Sequence, residues 1–164
     1  MFQIKRLLFF LLVVSWPNFV AAEEFKENPI ALTFTQLAEF MQGDWQGMAV
    51  KTPVGQVAYD IRFSVDKDGL VGVADTGDSL HHWQFIEINK KLKLRFLSTF
   101  RGNTKPRYLE YSHSEKNSHY FHHHHPGYLR VKITQKVNLI ELHIFLRDES
   151  HVKIELKRIP PPLA

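Results

Sequence analysis

The stretch VAYDIRFSV, residues 57–65, decides the fold class because large apolar side chains alternate in it with small or polar ones. Successive side chains of an extended chain point to opposite faces, so this period of two predicts a β-strand with one buried face. The same alternation recurs at 91–96, 128–133 and 151–156. Its repetition along the chain predicts an all-β protein.

Short turn signals rich in Asp, Asn, Gly and Lys separate the alternating stretches. They lie at residues 53–55, 66–69, 89–90, 102–103, 115–117 and 148–149. This spacing predicts about nine or ten strands, and turns this short join antiparallel neighbours. The predicted topology is therefore an up-and-down meander. A strongly twisted sheet of this size tends to close and so remove its exposed edges, which predicts a barrel.

One short helix is predicted before the strands, at residues 33–41. Thr33 is a suitable N-cap, and Gly43 follows the last helical position, where glycine commonly ends a helix. The apolar residues between them recur at helical spacing and share one face: Phe34, Leu37, Ala38 and Met41. We expect this face to pack against the barrel.

Residues 1–22 have the pattern of a secretory signal peptide. Lys5 and Arg6 form a positively charged start, and residues 7–14 are an uninterrupted apolar run. Small residues at 20–22 resemble a cleavage site. The apolar run is shorter than the roughly 20 residues that a membrane-spanning helix needs.

We therefore expect cleavage before Glu23 and a mature chain, residues 23–164, that forms one domain. The chain has no cysteine. Secreted animal domains often depend on disulfides, whereas a periplasmic protein of this size can rely on its hydrophobic core. The predicted location is the bacterial periplasm or the medium outside the cell.

Composition also excludes several classes of function. The absence of cysteine excludes disulfide bonds, thiolate metal sites and cysteine nucleophiles. Without Lys5 and Arg6, 19 of the 21 basic residues remain against 17 acidic ones. Nucleic-acid-binding surfaces are normally strongly basic, so we expect no nucleic-acid partner. We also expect no membrane-spanning segment after signal cleavage.

The segment LAEFMQGDWQG, residues 37–47, resembles the opening of lipocalin-like (calycin) barrels. In those barrels a short helix leads into a G-x-W motif, here Gly43-Asp44-Trp45. The resemblance implies that Trp45 plugs the closed end of the barrel and stacks on a basic residue of the last strand. Arg158, or Lys157 beside it, occupies that position in the chain.

Two features place the resemblance within this superfamily. Residues 51–56 leave room only for a hairpin after the first strand, and Trp45-Gln46-Gly47 forms a W-x-G pattern. Both are similar to nitrobindin-like and related bacterial lipocalin-like domains. That family can bind haem through a histidine, and no single histidine of this chain aligns with such a ligand.

If the apolar faces point inward, they define a set of lumen residues. His81 and His113 share the parity of their apolar neighbours and join the set. The predicted lining is Tyr59, Phe63, His81, Trp83, Phe85, Phe96, Tyr111 and His113. A barrel of this size can hold one small ligand or be filled by its own side chains, and both alternatives stay open.

Ten histidines are the most unusual feature of the composition. Five of them form a tract in mid-chain: His119, His122, His123, His124 and His125. A His-x-His pair on one face of a strand can chelate Zn²⁺, Cu²⁺ or Ni²⁺. The alternative is a polar hairpin tip that has no metal-binding role.

The leading prediction is a non-catalytic binding protein for a small hydrophobic or amphipathic molecule in the barrel lumen. The alternatives are a protein that binds a divalent transition metal through the histidine tract, a haem-binding barrel, and a packed barrel that acts through an unknown protein partner. The sequence contains no catalytic constellation, and it leaves enzymatic activity open.

Overall fold

The computed structural model describes residues 31–160, and ten antiparallel strands in it form a closed barrel. Each strand pairs with its neighbours in chain order, and the first strand pairs with the tenth. The predicted all-β meander that closes into a barrel is therefore confirmed. The predicted signal peptide, residues 1–22, lies outside the described residues.

One α-helix and one short 3-10 helix accompany the strands. The helix α1 spans Phe34–Met41, and the 3-10 turn spans Phe100–Gly102. The strands are β1 (Gly43–Lys51), β2 (Val57–Asp66), β3 (Gly69–Asp75), β4 (Leu80–Ile88), β5 (Lys91–Ser98), β6 (Arg107–Glu115), β7 (Ser118–His123), β8 (Leu129–Lys136), β9 (Leu139–Leu146) and β10 (Glu149–Arg158).

The predicted helix forms because its first turn is capped. The Thr33 hydroxyl accepts a hydrogen bond from the Gln36 amide, and the Gln36 side chain accepts one from the Thr33 amide. Leu37 and Met41 are completely buried against the barrel. No helix in residues 31–160 is both long enough and apolar enough to cross a membrane.

The helix covers one end of the barrel, which we call the closed end. There the Trp45 indole donates a 2.6 Å hydrogen bond to the Met41 carbonyl, and the Arg158 guanidinium lies 4.3 Å above the indole ring. Arg158 also donates to the carbonyls of Phe40 and Gln42, each at 2.6 Å. Carbonyls at a helix C-terminus have no partner within the helix, so these two side chains satisfy them.

The glycine of the G-x-W motif permits this arrangement. Gly43 has a φ of +124°, which side chains of L-residues rarely adopt. A Cβ atom there would lie 2.9 Å from Nη1 of Arg158. A larger residue would therefore strain the backbone and displace the arginine that caps the helix.

Candidate ligand-binding site

The other end of the barrel, which we call the open end, carries a cavity of about 240 Å³. Turns that join β1 to β2, β3 to β4, β5 to β6, β7 to β8 and β9 to β10 surround it, because the meander places them all opposite α1. Most of the wall is apolar and includes Ala49, Val57, Phe96, Leu129, Ile144 and Val152. We call this space the open-end cavity.

Side-chain size explains why the lumen is hollow at this end. Inward positions near the open end carry small residues such as Ala49 and Ser98. Deeper inward positions carry large, fully buried rings: Tyr59, Phe63, Trp83, Phe85 and Phe121. The Phe63 ring fills the space left by Gly72, where a Cβ atom would lie 2.6 Å from the ring carbons. The lumen is therefore packed in the half nearer the closed end and hollow in the half nearer the open end.

A histidine connects the cavity to the packed half. The Trp83 indole donates to the Tyr59 hydroxyl at 2.8 Å, and that hydroxyl lies 3.0 Å from Nδ1 of His81. Because the hydroxyl already accepts from Trp83, its own proton is free for Nδ1, which then acts as the acceptor. Burial raises the pKa of the Tyr59 phenol, so Tyr59 keeps this proton.

The second ring nitrogen of His81 extends this series of hydrogen bonds toward the rim of the cavity. With Nδ1 accepting, Nε2 carries the proton and donates to the Ser79 hydroxyl at 3.2 Å. The Thr76 hydroxyl lies 3.0 Å from the Ser79 hydroxyl and donates to the Ser79 carbonyl. Burial lowers the pKa of His81 to about 4. His81 is thus a neutral, fully hydrogen-bonded side chain in the cavity wall.

One arginine of the open end faces the lumen. Arg107 pairs with Phe96 across β5 and β6 and shares the parity of the buried Leu109, so it points inward. Its guanidinium lies 5.6 Å from the Tyr128 ring centre, and both residues line the cavity. Sequence reasoning missed Arg107 because it selected apolar and histidine positions. Parity with Leu109 is the signal that could have identified it.

The predicted lumen residues fall into two groups. His81 and Phe96 line the open-end cavity. Four others belong to the packed core instead: Tyr59, Phe63, Trp83 and Phe85. Alternation along a strand identifies which side chains point inward, and the height of each in the barrel decides whether it meets a ligand or another side chain.

Of the last two predicted lumen residues, Tyr111 packs inward against the core and the Phe121 ring without lining the cavity, and only His113 requires correction as to the face it occupies. Tyr111 lies toward α1, where its hydroxyl contacts the Ser114 hydroxyl and accepts from the Leu32 amide. His113 lies outside the barrel, stacked on the Tyr120 ring at 4.5 Å. A register shift between Tyr111 and His113 reverses the side-chain parity of β6, which the sequence pattern does not show.

The histidine tract is divided between three places. His119 is buried near α1, where its ring stacks on Phe40 at 5.5 Å and bonds to the Ser114 hydroxyl at 2.7 Å. His122 lies outside the barrel, with its ring 6.1 Å from that of His113. These two side chains point to opposite sides of the sheet.

The rest of the tract lies at the open end. The rings of His123, His124 and His125 lie 4.0 to 5.5 Å apart, beside the Tyr128 ring. Partial burial, then the neighbouring histidines and Arg107, lower the pKa of His123. In residues 31–160, no three His, Asp or Glu side chains are arranged to hold a metal ion.

The cavity does not fit haem. Its volume of about 240 Å³ is much smaller than a porphyrin requires. His81 uses one ring nitrogen for Tyr59 and the other for Ser79, so neither is available to iron, and the second lining histidine, His151, is exposed at the rim.

No protein-family model matches the chain, and no curated protein matches it. The closed ten-stranded barrel with its helix at one end is consistent with a lipocalin-like barrel. The fold and the cavity therefore carry the functional interpretation.

Proposed function

We propose that this protein is a lipocalin-like binding protein that holds a small hydrophobic or amphipathic molecule in the open-end cavity, without catalysis. One observation carries the proposal: the lumen is packed at the closed end and hollow, with apolar walls, at the open end. Ligand sites are typically concave and apolar, with a few fixed polar groups.

The size of the cavity limits the ligand. At roughly 30 Å³ for each water, 240 Å³ corresponds to about eight waters, or a similar number of non-hydrogen ligand atoms inside the barrel. Ligand cavities commonly measure about 300–1,000 Å³, so this one suits a short chain or a small ring system.

The hydrogen-bonded series of Tyr59, His81 and Ser79 in the cavity wall supports a binding function over a catalytic one. Ser79 and His81 are hydrogen-bonded, as a nucleophile and its base would be. A general base works best with a pKa near the working pH, and the pKa of His81 is lowered to about 4. Tyr59 occupies the position where a carboxylate would orient a catalytic histidine. This series of hydrogen bonds fixes the shape of the cavity wall and leaves Ser79 without an activating base.

We also propose that the protein acts in the periplasm or is secreted. The support is the signal-like pattern of residues 1–22 and the absence of cysteine. Fractionation of cells that express the full chain, followed by mass measurement of the product, tests this. A periplasmic or extracellular product that begins at Glu23 supports it, and an uncleaved cytoplasmic product contradicts it.

Binding can be tested by isothermal titration calorimetry with 1-octanol, a neutral amphiphile whose roughly nine non-hydrogen atoms match the size of the cavity. We expect saturable binding of one octanol per chain. Ala49→Phe places a ring in the cavity and should abolish this binding. Ala58→Phe, which introduces the same ring at an exposed position of β2, is the matched control. Absence of saturable octanol binding to the wild type would contradict the proposal.

A further inference from the structure

We infer that the ligand is a small monoanionic amphiphile, such as a short-chain carboxylic acid, whose acid group is bound by Arg107 at the mouth of the cavity. This inference rests on the proposed function, because it names the class of molecule that the open-end cavity takes. It follows from the position and bonding of Arg107 and from the charges around the mouth.

Arg107 lies where its side chain must face the lumen. Its position in β6 is opposite Phe96 in β5, and Phe96 is buried in the barrel. Opposite residues on antiparallel strands share a face, so the guanidinium and the Phe96 ring belong to the same cavity wall. Arg107 is half-buried at the mouth, so its permanent positive charge lies between the apolar wall and the solvent, where an anionic head group can reach it.

The structure gives this charge no partner among residues 31–160. The ion pairs there join Arg62 to Asp44, Lys93 to Glu110, Lys136 to Glu141 and Lys153 to Glu155. No hydrogen bond joins the Arg107 side chain to any of these described residues, and the guanidinium makes a cation–π contact with the Tyr128 ring instead. Its five N–H donors are therefore free for a ligand.

The loop that leads into Arg107 is basic, and Asp148 lies on the far side of the β7–β8 turn, against Gly127. The segment from Phe100 to Arg107 contains Arg101 and Lys105 and no acidic residue. Asp78 also lines the cavity, but it is exposed in the β3–β4 turn and lies beyond ion-pair distance of Arg107. Arg107 is the less exposed of these two charged side chains in the lining.

This geometry orients the ligand. A carboxylate can accept two parallel hydrogen bonds from a guanidinium, and such bidentate pairs are among the stronger polar contacts in proteins. With the acid group at Arg107, an alkyl chain would extend past Phe96 toward Ile144 and Val152. The cavity has room for one short chain, so the expected ligand is a free acid and a two-chain lipid is excluded.

The test compares octanoate with 1-octanol, which differ mainly in the charge of the head group. Both are titrated at pH 7.5 into the wild type, Arg107→Met and Arg101→Met by isothermal titration calorimetry. Arg101 is the matched control, because it belongs to the same loop and does not line the cavity. We expect octanoate to bind the wild type more tightly than octanol does. Arg107→Met should lower this preference about ten- to hundredfold, and Arg101→Met should leave it nearly unchanged.

The outcomes separate the two claims. If octanol does not bind the wild type saturably, the proposed function fails. If octanol binds and octanoate is not preferred, the cavity binds a neutral ligand and the inference about Arg107 is overturned. An equal loss in Arg101→Met and Arg107→Met would also overturn it, because the effect would then come from the overall charge of the mouth. Retained octanol binding in Arg107→Met shows that this variant is folded.

Discussion

Both ends of the barrel carry an inward-facing arginine on an aromatic ring, and the two arginines differ in what their donors contact. At the closed end, Arg158 lies 4.3 Å from the Trp45 ring and donates to two carbonyls of the helix end. At the open end, Arg107 lies 5.6 Å from the Tyr128 ring and donates to no residue in the described range 31–160.

The difference shows how one barrel combines stability with binding. Large rings fill the lumen at the closed end, and the depression that remains there is a wide, more polar surface groove of about 690 Å³ between α1 and the β6–β7 and β8–β9 turns. Small side chains and an unsatisfied arginine leave the open end with space and with free donors. The same strands serve both purposes, because each strand crosses from the packed half to the hollow half. We expect substitutions at the two ends to have separable effects.

The largest effect on stability should come from Trp45→Ala at the closed end. The side chain is 2% exposed, contacts Arg158 and donates to Met41. Its removal leaves a cavity and unsatisfied groups, which should lower the free energy of unfolding by about 3–5 kcal/mol. Urea unfolding followed by circular dichroism measures this. A loss below about 1 kcal/mol would show that the indole does not anchor the helix.

Acidification should lower the stability of the folded protein through His81, which lies in the wall of the open-end cavity. The pKa of His81 is about 4 in the folded protein and 6.5 in an ordinary setting, so between these pH values the unfolded chain binds more protons. The stabilisation is complete above about pH 6.5 and is lost as the pH falls through about 4. Its full size is about 3 kcal/mol, reduced by the partial exposure of the ring.

The contribution of His81 can be separated from that of other histidines. Burial also lowers the pKa of His119 at the closed end and of four other histidines, so the wild type loses stability on acidification from several sources: His81, His82, His119, His122, His123 and His143. His81→Asn does not titrate and retains an oxygen that can accept from Tyr59. The free energy of unfolding, measured at pH 7 and at pH 4.5, should therefore differ less between the two pH values in His81→Asn than in the wild type. An identical pH dependence in both proteins would contradict the buried, neutral state of His81.

Much of this structure could be predicted from the sequence. The alternation at 57–65 and the turn signals predicted a meander of about nine or ten strands, because the period of side-chain burial in a strand is fixed. The capping residue Thr33 predicted where the helix begins. The position of Arg158 over Trp45 was implied by the resemblance of the G-x-W segment to lipocalin-like barrels.

The extent of the cavity could not be predicted in the same way. Parity places both Phe63 and Phe96 inside, and only their height in the barrel separates a packed ring from a cavity wall. The bulge before His113 reverses parity without a signal in the residue pattern. The histidine tract likewise resembled one site in the sequence. In the structure, adjacent histidines of β7 point to opposite faces of the sheet, and His124 and His125 lie in the turn that follows β7.

A smaller effect should distinguish two glycines with positive φ at opposite ends. Gly43 has a φ of +124° and is in contact with Arg158, whereas Gly55, in the β1–β2 turn, has a φ of +99° and nothing within 4 Å of a new Cβ atom. Alanine at either position should cost about 1–2 kcal/mol in backbone strain. Gly43→Ala should cost more, because it also displaces the arginine. Equal losses in thermal unfolding would show that Arg158 adjusts freely.

The separation of the two ends is tested most directly by measuring the free energy of unfolding and octanoate affinity together in Arg158→Met and Arg107→Met. We expect Arg158→Met to lose about 2–4 kcal/mol of stability, since it leaves helix carbonyls unsatisfied, and to keep its octanoate affinity where it remains folded. Arg107→Met should keep its stability within about 0.5 kcal/mol and lose octanoate binding. If Arg107→Met instead unfolds as readily as Arg158→Met and binds octanoate as the wild type does, the open end is not the binding end.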